Sequence, residues 1–274
     1  MNEFISIKEA KKNRRINIKM IKKLAYFELK AMNLKKYEIL TELINPIIYL
    51  ICFGVCVGST MENGIVYNGN SIPYIKYVVP GILCMFSVDF FTHALFRTVI
   101  DKQWGLLGYK LMHGASPLTY IISLSLPAYI KYCIKCFLII IISTMFFSFS
   151  CDIRGVILFI LLSYVVILFW STAGILCGII VKNYQQRDLL TTIIITPVTF
   201  SAPVFYSIDA IPIIIKIIVQ INPLTHIVLC CRKLLLLDFE GIYFPLIFII
   251  AFCVATLFIC INKIKSAELN TIRF

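Results

Sequence analysis

Long apolar segments separated by short polar stretches fill the sequence from residue 39 to residue 262. A helix needs about 20 mostly apolar residues to cross the hydrocarbon core of a bilayer. This pattern predicts six transmembrane helices, at residues 39–59, 74–98, 122–149, 155–181, 189–208 and 242–262. The chain is therefore predicted to be an all-α membrane protein, with a transmembrane domain at 39–262 and a short tail at 263–274.

The first 38 residues have a different, amphipathic pattern. Eleven Lys and Arg residues lie in this segment, and apolar residues recur between them at steps of three or four. The recurring positions are Ile16, Met20, Leu24, Phe27, Ala31 and Leu34. We expect residues 1–38 to form an interfacial helix among the headgroups of an anionic leaflet, where each basic residue contributes about 1 kcal/mol. A solvated basic tail is the alternative.

Residues 209–240 interrupt the regular pattern. Two apolar runs, 211–219 and 227–237, are each about half as long as a crossing requires, and Asn222 and Pro223 separate them. Broken backbone at membrane depth is stable only where protein or a wet cavity surrounds it. This pattern predicts a re-entrant hairpin that enters one leaflet and returns to the same side.

The basic residues are distributed unevenly between the two sides of this topology. Eighteen Lys and Arg residues lie on the side of the termini and five on the other side. The positive-inside rule therefore places both termini in the cytoplasm and the hairpin in the outer leaflet. If the hairpin were an additional span, Lys263 and Lys265 would lie outside, which the charge bias disfavours.

Composition agrees with a membrane protein and argues against other classes. The chain is 60% hydrophobic and 15% charged, with a mean hydropathy of +0.91, so it has too little polar surface for a soluble globule. The net charge of +12 comes mainly from the N-terminal segment and short loops, which favours a membrane surface over nucleic acid as partner. Ten of the eleven Cys residues lie in apolar segments and are expected to act as small hydrophobes. The abundance of Ile, Lys and Asn is typical of a bacterial source and hence of a plasma membrane.

Five ionisable residues fall inside predicted spans, where charges are costly. Asp89, His93 and Arg97 share one face of the second span. They could line a polar path or join two helices, or they could form a ladder within one helix with Arg97 reaching the surface. Lys131 and Lys135, one turn apart on the third span, could face an anionic substrate or mark a cytoplasmic extension of that helix.

Motifs for catalysis are few. The chain has three His residues, no carboxylate pair of the catalytic kind, no metal-site spacing and no GxxxxGK[ST] loop. We therefore expect that it is not an enzyme and that any energy from ATP is supplied by a partner. An intramembrane enzyme that uses His93 with Asp89 is the least favoured alternative.

The loop at residues 100–118 has apolar and aromatic residues where a cytoplasmic loop would be polar. Such residues are typical of protein interfaces, so we predict a short helix that docks a partner. The predicted docking residues are Lys102, Gln103, Trp104, Gly105, Leu106, Leu107, Tyr109 and Lys110. A Trp residue of the membrane interface belt is the alternative explanation.

Three stretches of the sequence are similar to the motifs of a known protein family. Residues 71–85 read SIPYIKYVVPGILCM, residues 103–112 read QWGLLGYKLM, and residues 196–235 contain TPVTFSAPVFYSIDAIP and INPLTHIVLCCRKLL. They resemble the ABC-2 family of membrane permeases, in particular the branch of nodulation-factor and daunorubicin-type exporters. The first is similar to the family's tyrosine and Pro-Gly start of the second span. The second is similar to its Glu-x-Gly-Thr-Leu-Glu loop, and the third to its signature of Ser-Gly-x-x-Phe-Pro, Leu-Pro and Asn-Pro-Leu-Thr before Arg.

The resemblance implies an exporter permease that works as a homo- or heterodimer with two cytoplasmic ABC ATPase subunits, which hold ATP and Mg. Each ATPase would grip a coupling helix within residues 102–113, and an amphipathic drug, lipid-linked glycan or peptide would pass between the two permeases. The hairpin region would form the outer gate, with Pro203, Phe205, Pro212, Asn222, Pro223 and Arg232, the last as a structural or gating residue. A non-transporting scaffold in antibiotic or peptide sensing is the alternative.

The sequence departs from the family pattern at three positions. Gln103 and Gly108 stand where the coupling loop has acidic residues, which changes the expected electrostatics of ATPase docking. Ala202 replaces the Gly of the Ser-Gly pair in the gate region.

Overall fold

The computed structural model describes residues 17–32, 44–61, 64–67, 69–208 and 211–271. The predicted interfacial helix is therefore described only in its central part. Residues 1–16 and 33–43 lie outside the described residues, and with them Ile16, Leu34 and the start of the first predicted span. Residues 209–210 of the hairpin region and 272–274 of the tail also lie outside.

Ten helices and one two-stranded hairpin make up the described part of the chain. In chain order they are α1 (Ile18–Ala31), α2 (Ile44–Thr60), β1 (Ile65–Tyr67), β2 (Asn70–Ile72), α3 (Tyr74–Gln103), α4 (Leu106–Met112), α5 (Pro117–Phe147), α6 (Ile153–Ile180), α7 (Tyr184–Ser201), α8 (Ile213–Ile221), α9 (Pro223–Leu236) and α10 (Tyr243–Thr271). The strands pair antiparallel, with Ile65 opposite Ile72.

Four of these helices, α3, α5, α6 and α10, are long and apolar enough to cross a membrane. The pair α8 and α9, which meet at 85°, would make a fifth if they were counted as one broken span. Helix α2 is shorter, and α7 begins with the polar residues 184–188, which lower its hydropathy. The all-α membrane class is confirmed, whereas the number of six spans stays a prediction.

Polar caps set where several helices begin. In each case the side-chain oxygen of the cap accepts a hydrogen bond from a backbone N–H in the first turn. The capping residues are Ser116 for α5, Asp152 for α6, Asn183 for α7 and Asn222 for α9. Helices α5, α6 and α7 therefore begin two to five residues before the apolar segments from which their spans were predicted.

The central helices α3 and α6 pack against each other through glycines. A Cβ atom on Gly174 would lie 2.3 Å from the Phe91 carbonyl oxygen, and one on Gly178 would lie 2.7 Å from Thr98 Cβ. Small residues four apart on one helix face allow two backbones to approach closely inside a membrane. This contact makes α3 the most buried of the long helices, with α5 and α9 also packed against it.

Helix α3 contains one tight turn at Phe86–Val88, halfway along its length. Carbonyl groups before such a turn lose regular helical partners and must be satisfied by other donors. The Tyr132 hydroxyl of α5 donates to the Leu83 carbonyl at 2.9 Å. The Ser87 hydroxyl donates to the Cys84 carbonyl at 2.6 Å and accepts from Trp170 Nε1 of α6 at 3.1 Å. The turn is therefore held by both neighbouring helices.

Helix α3 runs between two ends of the bundle. At its first residue it adjoins the β1–β2 hairpin, and we call this the hairpin end. The name refers to the two strands and not to the predicted re-entrant hairpin. At its last residue it leads into α4, and we call this the α4 end. Helix α1 packs against α5 and reaches the α4 end, where Glu28 meets Arg97.

Candidate functional site

The loop between α3 and α4 presents an exposed aromatic surface. Gly105 has a φ of 70°, a left-handed conformation that favours glycine, and α4 begins directly after it. The side chain of Trp104 is 75% exposed, and the rings of Tyr109 and His113 stack with centroids 4.0 Å apart. We call the exposed side chains of this loop the α4 surface: Trp104, Leu106, Tyr109, Met112 and His113.

Leu107 lies on the buried side of α4, although the sequence suggested it as a docking residue. It belongs with Leu111 to an apolar cluster that includes Tyr120, Ile121 and Leu124 of α5. Leu107 therefore anchors α4 to the bundle, and its side chain is not presented to a partner protein.

Lys102 and Gln103, also suggested as docking residues, contact the turn between α6 and α7. The Lys102 ammonium donates to the carbonyls of Ile179 at 2.6 Å and Val181 at 2.8 Å. These carbonyls lie at the C-terminal end of α6, where a helix leaves acceptors without partners and favours a cation. Gln103 Nε2 donates to the Lys182 carbonyl at 3.5 Å. Both residues thus hold two loops of this chain together.

A buried ion network ties α4 to three other helices. Glu28 of α1 and Asp101 of α3 are 3% and 0% exposed. Arg97 Nη2 lies 2.9 Å from Glu28 Oε1, and Lys110 Nζ of α4 lies 2.6 Å from Asp101 Oδ2. The Tyr120 hydroxyl of α5 donates to the same Asp101 oxygen at 3.0 Å. Two carboxylates and two cations balance in charge, so removal of one would leave a buried charge without its partner.

Sequence reasoning missed Glu28 and Asp101. A ladder of Asp89, His93 and Arg97 was one prediction, but Arg97 pairs with Glu28 and lies 3.6 Å from Asp101. The spacing of four residues between Arg97 and Asp101 is a signal that could have found the second acid. No local signal identifies Glu28, because its partner lies 69 residues away along the chain.

At the hairpin end, the chain after α7 is irregular and buried, and three side chains bind its carbonyls. We call residues 202–206 the broken segment. The Tyr74 hydroxyl donates to the Phe205 carbonyl at 2.8 Å, and the Tyr77 hydroxyl donates to the Tyr206 carbonyl at 2.6 Å. Arg232 Nη2 donates to the Pro203 carbonyl at 3.0 Å. Donors to these three carbonyls stabilise the irregular backbone inside the protein.

Asn222 joins the end of α7 to the turn between α8 and α9. Its amide nitrogen donates to the Val198 carbonyl at 2.7 Å and to Ser201 Oγ at 2.9 Å. Its side-chain oxygen accepts from the backbone N–H of Leu224 at 2.9 Å, which caps α9, and Pro223 is the first residue of that helix. The predicted Asn-Pro break is therefore also a contact between three helices.

The other predicted gate residues surround the same region. The Phe205 ring stacks on Phe53 of α2 with centroids 3.8 Å apart, and Pro212 directly precedes α8. A Cβ atom on Gly81 would lie 3.0 Å from the Val204 carbonyl oxygen, so glycine lets α3 approach the broken segment. The tyrosine and Pro-Gly stretch and the Asn-Pro stretch thus meet in space, although they are more than 100 residues apart.

Asp89 and Lys135 form an ion pair between α3 and α5, with Lys135 Nζ 3.0 Å from Asp89 Oδ2. The Lys135 ammonium also lies 4.4 Å from the centroid of the Phe86 ring. The Lys135 side chain is 8% exposed and that of Asp89 is 58% exposed, whereas His93 and Lys131 are half-buried. The pair joins two helices, and its carboxylate faces the open side of the molecule.

Helix α7 lies beside α3 and carries no buried side chain among its residues. The Arg187 guanidinium stacks over the Phe96 ring of α3 at 3.9 Å. Thr192 and Thr196, one turn apart, are exposed. Asp89 of α3 is exposed as well, and large apolar side chains of α7, Leu189, Ile193 and Phe200, are exposed beside the threonines.

The sequence matches the family model described as ABC-2 type transporter over residues 21–236. This match begins in α1 and ends at the last residue of α9, so it includes the ion network, the α4 surface, the broken segment and Asn222. A comparison with curated proteins gives no match.

Proposed function

The chain belongs to the ABC-2 type transporter family, and from this premise we propose that it is the permease subunit of an ATP-driven exporter. The permease works as a dimer in a bacterial plasma membrane, with the α4 end and both termini in the cytoplasm. Two separate ABC ATPase subunits bind ATP and Mg and dock at the α4 end. The chain itself catalyses no reaction.

The observation that carries this proposal is an exposed aromatic surface on a rigid support. Exposed Trp and Tyr side chains are characteristic of the centres of protein interfaces. The α4 surface is held from within by Leu107 and Leu111 and by the Lys110 to Asp101 ion pair. A force applied to α4 by a partner would therefore be transmitted to α3 rather than absorbed by a mobile loop.

Helix α3 provides the connection from this docking site to the hairpin end. It has 30 residues and so spans about 45 Å. Arg97 and Asp101 near one end bind the ion network, whereas Tyr74 and Tyr77 at the other end bind the broken segment. A tilt of α3 after ATP binding would shift the carbonyls of that segment and alter the outer gate.

Exposed polar residues on α3 and α7 support a path between two copies of the chain. An ionised carboxylate inside a membrane is costly unless it faces protein or water. Asp89, Thr192 and Thr196 would meet this condition if the α3 and α7 side faced the second permease across a wet path. Apolar side chains beside them, such as Ile193 and Phe200, suit an amphipathic cargo.

The proposal is tested by substituting Trp104 with alanine and measuring association with the candidate ABC ATPase subunits of the source organism. Loss of a central aromatic contact costs about 2 kcal/mol or more, so we expect about 30-fold weaker binding. The matched control is Tyr243→Ala, because Tyr243 is 73% exposed at the other end of the bundle. The control should bind the ATPase as the wild type does.

Transport is tested in vesicles that contain the permease and ATPase together. Trp104→Ala should lose substrate-stimulated ATP hydrolysis while remaining folded in the membrane. Equal ATPase binding by Trp104→Ala and the wild type would contradict the docking assignment. Normal ATPase binding without ATP-dependent transport of any amphipathic cargo would favour the scaffold instead.

A further inference from the structure

Arg232 is a buried cation with no ionic partner among the described residues. Its side chain is fully buried on α9, and its guanidinium lies 3.5 Å from the centroid of the Tyr77 ring. Nε donates to the Tyr77 carbonyl and Nη2 to the Pro203 carbonyl, each at 3.0 Å. No group in the described part of the chain accepts from Nη1. Within the described residues, no carboxylate lies within 4.0 Å of this guanidinium.

A second buried donor lies in the same cluster. The Tyr67 hydroxyl of β1 is buried and has no hydrogen-bond partner among the residues that the structure describes. The Tyr67 ring packs edge to face on the Tyr77 ring, with centroids 6.0 Å apart, and Tyr77 also contacts Arg232. Burial raises the pKa of Tyr67 to about 12, so the hydroxyl keeps its proton and can donate.

Nearby charges do not neutralise Arg232. The neighbouring Lys233 donates to the Glu240 carbonyl, and its ammonium lies 3.9 Å from Asp238 Oδ2. The Lys233 ammonium is also 6.0 Å from the centroid of the Tyr67 ring. Asp238 thus offsets the charge of Lys233, and among the described side chains of the cluster the charge of Arg232 remains without a carboxylate partner. An isolated buried charge is strongly unfavourable, because solvation by water is lost.

We propose that Arg232 Nη1 and the Tyr67 hydroxyl bind a small monovalent inorganic anion, chloride in the cell. Water could accept both hydrogen bonds, but only an anion also neutralises the guanidinium. A monatomic halide is the smallest anion that can accept from both donors, which favours it beside a guanidinium that is fully buried. The anion would join the β1–β2 hairpin to α9, and through Arg232 to the broken segment. This site is independent of transport and of the ATPase.

The test uses the purified full-length chain in an uncharged detergent. Thermal unfolding is followed in sodium chloride, sodium bromide and sodium gluconate at equal ionic strength, and then as a function of chloride concentration. The wild type should have a higher Tm in chloride and bromide than in gluconate. Tyr67→Phe should raise the apparent Kd for chloride about tenfold or more, because it removes a hydrogen bond to a charged ligand.

The matched control is Tyr74→Phe. The Tyr74 hydroxyl donates to the Phe205 carbonyl, so this variant should lower Tm equally in chloride and gluconate and leave the chloride Kd unchanged. Tyr67→Phe loses no protein hydrogen bond, and its Tm in gluconate should equal that of the wild type. Equal Tm values of the wild type in chloride and gluconate would overturn the proposal. An unchanged chloride Kd in Tyr67→Phe would do so as well.

Discussion

Single polar residues stabilise this bundle by binding acceptors on distant parts of the chain. Tyr74 and Tyr77 reach carbonyls 131 and 129 residues away, and Asn222 binds the end of α7. The sequence indicated Asn222 and Arg232 through the resemblance, but it could not reveal what they bind. A carbonyl oxygen has no residue-specific signature, so its partner becomes known only when the helices are placed together.

The oxygen of the Asn222 amide caps α9, whereas its nitrogen binds the end of α7. The two contributions to stability can be tested separately. Asn222→Ala removes the cap of α9, at about 1 kcal/mol, and also leaves the Val198 carbonyl without its donor. We expect a total loss of about 2–4 kcal/mol in the free energy of unfolding. Asn222→Asp keeps the capping oxygen and should lose less. The measurement is denaturant-induced unfolding of the purified protein.

Asn183→Ala is the control for this prediction, because Asn183 caps α7 at an exposed position and binds no second helix. It should cost only about 1 kcal/mol. Equal losses for Asn183→Ala and Asn222→Ala would show that the contact of Asn222 with α7 contributes nothing.

The sequence predicted the presence of the long helices better than it predicted the residues at which they begin and end. Hydropathy located α3, α5, α6 and α10, because their apolar length exceeds that of any soluble helix of similar composition. It missed the β1–β2 hairpin, because strands of three residues each are too short to show a pattern of period two. It also gave no information on packing, since Gly174 and Gly178 look like any other small residues until α3 lies against them.

The close approach of α3 and α6 predicts an intolerance of Gly174 to any side chain. Gly174→Ala would place Cβ 2.3 Å from the Phe91 carbonyl oxygen, and backbone cannot move aside as a flexible side chain can. We expect a loss of about 3 kcal/mol or more. It should appear as a low yield of monodisperse protein in detergent and a reduced Tm.

Gly58→Ala is the matched control on α2. Its Cβ would be 3.7 Å from Tyr74, an ordinary contact, so yield and Tm should be close to those of the wild type. If Gly174→Ala were as well tolerated as this control, the helices would not be in glycine contact.

At the scale of the whole molecule, α3 joins two polar centres at opposite ends of an apolar bundle. Composition alone identified the membrane class, and the three quoted stretches indicated the family that the match over residues 21–236 supports. Only the Arg97 to Asp101 spacing gave a signal of the ion network, because its other members come from α1, α4 and α5 and become neighbours only in the folded chain.

The ion network predicts that α1 controls the mobility of α4. Glu28→Gln leaves Arg97 and Lys110 with one carboxylate between them, and unpairing buried charges is strongly destabilising. Backbone amides of α4 should then exchange hydrogen about tenfold faster or more, as measured by mass spectrometry on the detergent-solubilised chain. Lys22→Gln, which changes an exposed charge on α1, should leave this exchange unchanged. If hydrogen exchange of α4 were unaltered in Glu28→Gln, the prediction that α1 stabilises α4 would be contradicted.

The broken segment differs from a helix in how it can be released. A helical turn can open only if consecutive backbone hydrogen bonds break together, whereas here Tyr74, Tyr77 and Arg232 each hold one carbonyl. Two neutral bonds and one charged bond contribute about 3–6 kcal/mol in total. Side-chain rotation could therefore free this part of the chain without any loss of secondary structure. A ligand that binds one of two conformations more tightly shifts the equilibrium by the difference in its binding free energy for the two. The free energy needed to release the broken segment is comparable to such a difference.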